Sequence, residues 1–298
     1  YNDCISSIFL RISGCSIFLV SCRSKFHSIF SKMYVLSKYQ TGVFEYRRNC
    51  LQKLICKSEN RLNEEEKPMI GIIGAMEDEV ETLKADMEIE EVITKASMTF
   101  CKGRLEGQEV VIVRSGIGKV NAGICAQILV DCFHVDRLIN TGIAGSLDAR
   151  IDIGDIVIST DALHHDMDAT EFGDPRGQVP RMDVLSFPAD MELVQKAVQA
   201  NETANPDIHT FTGRVASGDQ FVASAGVKQQ IVENFHPLCV EMEGAGIAQA
   251  AYLNKISYVI IRAISDKADN SAVMDYPAFE KKAISHSVRL VKELMKLL

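Results

Sequence analysis

Residues 69–80 read MIGIIGAMEDEV and change within a few positions from an apolar run to a group of carboxylates. A continuous apolar run without polar alternation is typical of a parallel β-strand that is covered on both faces. In open α/β proteins, ligands bind beyond the carboxyl ends of such strands. The sequence therefore predicts a ligand site beside Glu77, Asp78 and Glu79.

The charge of this strand end favours one class of chemistry. Three carboxylates without an adjacent Lys or Arg would repel a phosphate, whereas a carboxylate can activate a water molecule. We therefore expect hydrolysis rather than phosphorolysis. The alternative is a solvated first turn of a helix, where the helix dipole favours acidic side chains.

The composition excludes two classes of partner. The chain has 298 residues, enough for one large domain or two small ones, and a net charge of −8 that argues against nucleic acid. Its apolar stretches are all shorter than the roughly 18 residues that a membrane span needs. We expect a cytoplasmic protein, with four cysteines as buried free thiols: Cys101, Cys125, Cys132 and Cys239.

Residues 1–68 differ from the remainder of the chain. They hold five of the nine cysteines and 11 Lys and Arg against 6 Asp and Glu, a balance of +5 that leaves −13 for residues 69–298. Their sequence shows no helical or strand periodicity. They could be a targeting peptide, a small disulfide module or translated upstream sequence preceding a true start at Met69. We favour the third interpretation, because the first core strand follows Met69 directly.

Residues 69–298 alternate strand-like and helix-like segments, which predicts one three-layer α/β domain with a central mixed β-sheet flanked by helices. The predicted strands are 69–75, 98–105, 109–115, 136–141, 154–160, 209–217, 238–240 and 257–264. The predicted helices are 77–86, 119–133, 189–201, 226–234, one from about Met242, and 275–298. Residues 164–180 are predicted to form a long polar loop.

Two glycine-rich runs, SGIGK at 115–119 and NTGIAG at 140–145, follow predicted strands. Glycine-rich strand-to-helix turns bring backbone N–H groups close to a ligand, although ordinary tight turns are the alternative. Neither run has the spacing of a phosphate-binding P-loop or a dinucleotide fingerprint.

Two later segments place acids beside apolar runs. Glu241 and Glu243 flank a methionine, and partly buried carboxylates there could accept hydrogen bonds from the hydroxyls of a ribose, unless they form a charged helix start. Arg262 lies inside an apolar strand and needs a carboxylate partner. Asp266 follows that strand and could act as an acid with a raised pKa; a structural Arg–Asp pair is the alternative.

A metal site is not expected. His164, His165, Asp166 and Asp168 lie close together in sequence, but in a predicted loop and at no standard ligand spacing.

Six motifs, in this order and spacing, resemble the 5′-methylthioadenosine/S-adenosylhomocysteine nucleosidase family of the nucleoside phosphorylase superfamily. They are IGIIGAMEDEV at 70–80, SGIGKV at 115–120, NTGIAG at 140–145, SGDQF at 217–221, VEME at 240–243 and RAISD at 262–266. The resemblance covers residues 69–298 and none of 1–68.

The resemblance implies hydrolysis of the N-glycosidic bond of methylthioadenosine and S-adenosylhomocysteine, and also of 5′-deoxyadenosine. Adenine and a 5-substituted ribose would be released without metal or organic cofactor. By resemblance, Glu79 activates the water and stays ionised. Asp266 starts protonated and donates to N7 of adenine, and Ser265 holds its side chain. Glu243 binds the ribose hydroxyls and Met242 packs under the sugar.

The resemblance also assigns the surroundings of the substrate. Phe221 would stack on the base and the backbone of Val222 would read its edge. Met76 and Ile117 would line the sugar and alkylthio region. The remaining pocket residues by resemblance are Gly145, Glu241 and Arg262. In a homodimer, Phe172 and Pro180 would reach into the neighbouring subunit's 5′-pocket.

Three other functions stay open. A related hydrolase would remove adenine from 6-amino-6-deoxyfutalosine with the same catalytic residues. A purine nucleoside phosphorylase would need cationic phosphate contacts near the first strand, where acids stand instead. A non-catalytic nucleoside-binding protein would need neither Glu79 nor Asp266.

Overall fold

The computed structural model describes residues 6–12, 15–21 and 68–298. The chain divides into two compact units, residues 1–66 and 67–298. Each unit is described by itself.

In the first unit, β1 (Ser6–Ile12) and β2 (Cys15–Ser21) form an antiparallel pair with Ser6 opposite Ser21. No strand was predicted for these two segments. Both segments are rich in Ile, Phe and Ser, a composition that favours strands. Their apolar and polar residues do not alternate strictly, so the sequence shows no strand periodicity. The expectations for the remainder of residues 1–68 lie outside the described residues.

The second unit is built on a ten-stranded sheet. Its strands are β3 (Met69–Gly74), β4 (Glu88–Lys95), β5 (Met98–Leu105), β6 (Gln108–Arg114), β7 (Arg137–Ser146), β8 (Ile156–His164), β9 (Phe187–Pro188), β10 (Thr210–Ser217), β11 (Cys239–Glu241) and β12 (Ser257–Asp266). They are ordered β11-β10-β8-β12-β7-β3-β6-β5-β4, and β9 pairs with β8.

The sheet is mixed, as predicted. Strands β12, β7, β3 and β6 are parallel, and β8 is antiparallel to β12. The carboxyl ends of the four parallel strands therefore lie along one edge. Because α/β crossovers cover both faces, these strands are almost fully buried, for example at Ile72, Ile139 and Ile260.

Six helices flank the sheet: α1 (Glu77–Asp86), α2 (Lys119–Phe133), α3 (Met191–Ala204), α4 (Ala225–Phe235), α5 (Gly244–Asn254) and α6 (Ala272–Leu297). Each corresponds to a predicted helix, with ends that differ by up to three residues. The loop predicted at 164–180 contains one 3₁₀ turn, Thr170–Phe172. Of the helices in the described part of the chain, none is long and apolar enough to cross a membrane.

Two strands of this sheet were not predicted, the two-residue β9 and the longer β4. All eight residues of β4 are exposed, and the strand pairs only with β5 at the edge of the sheet. Because neither face of β4 is buried, its sequence EIEEVITK lacks the alternation that reveals a half-buried strand.

Candidate active site

A cavity of about 460 Å³ opens at the carboxyl edge of β3, β7 and β12. Ten of the predicted site residues line it, from segments far apart in sequence. They are Met76, Glu79, Ile117, Gly145, Phe221, Glu241, Met242, Glu243, Ser265 and Asp266. An adjoining small recess is lined by Val222 together with Phe221 and Gly145.

Glu79 is buried and not part of a solvated helix turn. Its Oε2 accepts the backbone N–H groups of Ala75 at 2.7 Å and Met76 at 2.9 Å, and its Oε1 accepts that of Ile143 at 3.2 Å. Glu77 and Asp78 are exposed, as a helix start predicts. The hydrogen bonds fix one carboxylate at the junction of β3 and β7, facing the cavity.

The glycine-rich run of β7 is not a turn, which corrects the prediction that the strand ends at Thr141. The strand continues to Ser146, and the glycines provide space instead. A Cβ on Gly142 would lie 2.6 Å from Glu79 Oε1, and one on Gly145 would lie 2.8 Å from Asp266 Oδ1. Both glycines therefore admit a carboxyl group against the strand backbone.

Arg262 does have a carboxylate partner, but it is Glu241 rather than Asp266. The two form a fully buried ion pair through Arg262 Nη2. The same nitrogen donates to Asn140 Oδ1 at 2.5 Å, and the Asn140 amide donates to the Ile73 carbonyl at 3.0 Å. Arg262 thus lies behind the cavity wall and links β12, β7 and β11.

Glu241 has little capacity left for a ligand. Its carboxylate accepts from the Ser217 hydroxyl, from Arg262, and from the N–H groups of Glu243 at 3.1 Å and Gly244 at 2.8 Å. Burial alone would raise the pKa of Glu241, but Arg262 and these donors outweigh it and hold the pKa below its ordinary value. Glu241 is therefore a buried anion that supports the wall.

Glu243 is different, since it has one protein donor. Its Oε1 accepts the N–H of Gly118 at 2.9 Å, within the other glycine-rich run. That run is a true turn, with φ of +83° at Gly116 and +96° at Gly118. Burial and the neighbouring Glu241 raise the pKa of Glu243 to about 7. The remaining carboxyl oxygen of Glu243 is available to hydroxyl donors in the cavity.

Asp266 closes the other side of the cavity and is 2% exposed. Its Oδ1 accepts the N–H of Ala268 at 2.7 Å, and its Oδ2 accepts the Ser265 hydroxyl at 2.9 Å. Burial raises the pKa of Asp266 against these two donors, and the nearby Asp275 and Asp269 raise it further.

The sequence predicted that Glu79 and Asp266 have pKa values pushed apart, whereas burial raises the pKa of both in the structure. Their surroundings still differ. Arg262 and three N–H donors oppose the rise in the pKa of Glu79. At Asp266, two donors oppose the rise in the pKa and nearby carboxylates add to it. The groups that favour the ionised form are therefore more numerous at Glu79 than at Asp266.

Sequence reasoning missed part of the apolar wall. Val273 and Tyr276, at the start of α6, also line the cavity. Tyr276 packs edge-on against Phe221 with ring centroids 5.8 Å apart, and its hydroxyl donates to Glu280 Oε1 at 2.9 Å. The predicted helix began at Asp275, so Val273 fell outside it and Tyr276 read as an ordinary apolar helix position.

Phe172 and Pro180 do not reach the cavity of their own chain. Phe172 is 89% exposed and Pro180 is also exposed. In the histidine cluster, His164 Nε2 bonds Gln249 Oε1 at 2.9 Å and Asp166 pairs with Lys119, whereas His164 Nδ1 and His165 Nε2 have no hydrogen-bond partner in the part of the chain that the structure describes. Within the described residues, no group of three or more His, Cys, Asp or Glu side chains could hold a metal ion.

Comparisons with known proteins match this geometry. Residues 69–296 match the family model described as the phosphorylase superfamily. A 5′-methylthioadenosine/S-adenosylhomocysteine nucleosidase of Staphylococcus carnosus is 42% identical over 231 residues, which cover 77% of this chain and 100% of that protein.

Two solved structures are similar over the same region. One is the 5′-methylthioadenosine/S-adenosylhomocysteine nucleosidase of Neisseria meningitidis in complex with methylthio-immucillin-A, at 38% identity and a TM-score of 0.74. It covers 77% of this chain and 99% of that one. The other is the futalosine hydrolase of Helicobacter pylori, at 30% identity and a TM-score of 0.73, covering 78% and 98%.

The raised pKa of Glu243 makes stability depend on pH. Because the folded protein holds this proton more tightly than the unfolded chain, the stabilisation is complete below the ordinary pKa of 4.5 and is lost as the pH rises through about 7. Relative to Glu243→Gln, we expect the wild type to lose at most about 3 kcal/mol between pH 5 and 8.5.

Denaturant unfolding of both proteins across this pH range measures the difference. Asp78→Asn, which removes an exposed carboxyl beside the cavity, is the matched control. A difference between wild type and Glu243→Gln that stays constant with pH would contradict the expectation.

Proposed function

The chain belongs to the 5′-methylthioadenosine/S-adenosylhomocysteine nucleosidase family of the phosphorylase superfamily, and on this basis we propose that it hydrolyses the N-glycosidic bond of these two nucleosides. The products are adenine and the 5-thio-substituted ribose. The two relatives that carry this name are matched over 100% and 99% of their own length.

The observation that carries the proposal is the pairing of two buried carboxyl groups, Glu79 and Asp266, in one cavity. Among the described residues that line the cavity there is no Lys, Arg or His. A phosphate ion would therefore meet carboxylates and apolar groups, whereas water beside a carboxylate is suited to hydrolysis.

Asp266 acts as the general acid. Adenine is a poor leaving group as an anion, so a proton delivered to the base as the bond breaks lowers the barrier. The burial of Asp266 favours the protonated form that this role needs.

Glu79 activates the attacking water. The ribosyl group becomes electron-poor as adenine departs, and an anionic carboxylate both stabilises that charge and accepts a proton from water. Arg262 and three backbone N–H donors support the ionised form of Glu79.

The remaining cavity residues bind the substrate. Glu243 accepts hydrogen bonds from the ribose hydroxyls, and Met242 packs under the sugar. Phe221 stacks on adenine beside the recess lined by Val222. The apolar region formed by Met76, Ile117, Val273 and Tyr276 receives the 5′-substituent.

A second candidate is removal of adenine from 6-amino-6-deoxyfutalosine. This second candidate is supported by the similarity to a futalosine hydrolase at 30% identity. It would use the same carboxyl groups, so only the 5′-region would distinguish the two substrates.

We also propose a homodimer in which Phe172 and Pro180 complete the partner's 5′-region. Support comes from exposed apolar side chains on the loop and on α2 and α5, including Phe172 at 89%, Val120 at 71% and Leu253 at 63%. Four free thiols support a reducing compartment such as the cytoplasm. Cys101, Cys125 and Cys239 are buried, as predicted, whereas Cys132 is exposed, so that prediction was wrong for Cys132.

The first test is adenine release from methylthioadenosine by the full chain, with and without phosphate. We expect equal rates and free methylthioribose in both buffers, because the cavity lacks a phosphate-binding cation. S-adenosylhomocysteine and aminodeoxyfutalosine are compared in the same assay. Release only with phosphate, yielding a sugar 1-phosphate, would show a phosphorylase instead.

Replacing either carboxyl group should remove most of the catalysis. We expect Asp266→Asn and Glu79→Gln each to lower kcat by about 10²- to 10⁴-fold, because an amide cannot donate or accept the required proton. Substrate binding, measured by calorimetry, should persist. Glu81→Gln is the control, since Glu81 is exposed on the same helix as Glu79 and does not line the cavity. Wild-type turnover in either variant is incompatible with these roles.

The dimer proposal predicts an effect of Phe172→Ala on KM. We expect a rise of about tenfold for methylthioadenosine, because the loss of one buried aromatic contact weakens binding by 1–2 kcal/mol. Met191→Ala, at another exposed apolar side chain, is the control. Sedimentation of the wild type should give a dimer. A monomeric wild type, together with an unchanged KM in Phe172→Ala, would refute the arrangement.

A further inference from the structure

One cationic side chain lies beside the acid end of the cavity without lining it. Lys228, in α4, is half-buried, and its Nζ donates to the carbonyl oxygens of Ser146 at 3.0 Å and Lys267 at 2.5 Å. Ser146 is the last residue of β7, and Lys267 directly follows β12. The ammonium group therefore joins the end of β7 to the residue that follows Asp266, the last residue of β12.

The second carbonyl belongs to the peptide group between Lys267 and Ala268. The C=O of this group accepts from Lys228, and its N–H donates to Asp266 Oδ1 at 2.7 Å. Because a peptide group is planar, the orientation of its carbonyl fixes the direction of its N–H.

The backbone at this point needs external support. Ala268 has φ of +50°, a left-handed conformation that is unfavourable for a residue with a Cβ and persists only where its surroundings hold it. Ala268 is fully buried, and a Cβ on Gly145 would lie 2.8 Å from its methyl group. The contacts of Lys228 and Asp266 are the polar restraints on the peptide that precedes it.

We propose that Lys228 is a positioning residue for Asp266, acting through the Lys267–Ala268 peptide. With Oδ1 held by the Ala268 N–H and Oδ2 by the Ser265 hydroxyl, the carboxyl group is fixed in one orientation towards the cavity. Lys228 does not touch the substrate. The inference rests on the proposed function, in which Asp266 protonates the departing adenine.

The test compares two leaving groups in the Lys228→Met variant of the full chain. Methylthioadenosine needs an acid, whereas 4-nitrophenyl 5-methylthio-ribofuranoside releases a stable anion that does not. We expect kcat for adenine release to fall about tenfold or more, part of the 10²- to 10⁴-fold effect of a general acid. KM and the nitrophenolate rate should change by less than about twofold.

Two further variants separate positioning from general damage. Lys228→Arg keeps a cationic donor and should recover most of the adenine-releasing rate. Lys267→Met is the matched control, because the Lys267 side chain contacts the Ile151 carbonyl and Asp152 rather than its own peptide. It should leave both rates within about twofold of wild type.

An equal loss with both substrates, no loss with either, or no recovery in Lys228→Arg would each overturn the assignment. If Lys228→Met does not fold, Lys228→Gln is assayed instead, since its shorter neutral amide cannot bridge both carbonyls and should show the same selective loss. A wild type that releases no adenine would refute the proposed function, whereas an active wild type with non-selective variants would refute only the role of Lys228.

Discussion

The site depends on one buried guanidinium. Arg262 lies in the middle of the sheet, where a lone charge would be very unfavourable, and it is balanced by Glu241. Its field also reaches Glu79 and Glu243, opposing the rise that burial imposes on the pKa of each. Loss of one partner of such a pair typically costs about 3–5 kcal/mol, because the other charge stays buried and unpaired. The wall of the cavity and the ionisation of its carboxyl groups therefore have a common origin.

Around this ion pair, backbone N–H groups position the carboxyl groups of the cavity as much as side chains do. Glu79 is held by three N–H groups, Asp266 by one N–H and one hydroxyl, and Glu243 by one N–H. The three carboxyl groups therefore differ in burial and in the number of hydrogen bonds that they accept. The opposite roles proposed for Glu79 and Asp266 rest on this difference in donors, because both groups are buried.

The sequence was sufficient for the family and for most cavity residues, because strand ends and acids are visible in local patterns. It did not reveal which distant groups meet. The N–H of Ile143 donates to Glu79, which is 64 positions away in the sequence. Arg262 pairs with Glu241 rather than with Asp266, which is nearer in the sequence. The glycines of β7 were predicted to form a turn, because glycine occurs in turns and also in strands that must leave space for a neighbouring group. Tyr276 was missed because a wall residue on an amphipathic helix has the same pattern as a core residue.

The exposed edge strand β4 has a consequence for handling the protein. An unpaired strand edge is a template for intermolecular pairing, and Ile89, Val92 and Ile93 on this strand are solvent-exposed. Glu88, Glu90 and Glu91 interrupt those apolar side chains with charges that repel an identical edge. These three acids therefore keep apart two copies of an edge that would otherwise pair strand to strand, and their replacement by neutral side chains would leave β4 open to such pairing.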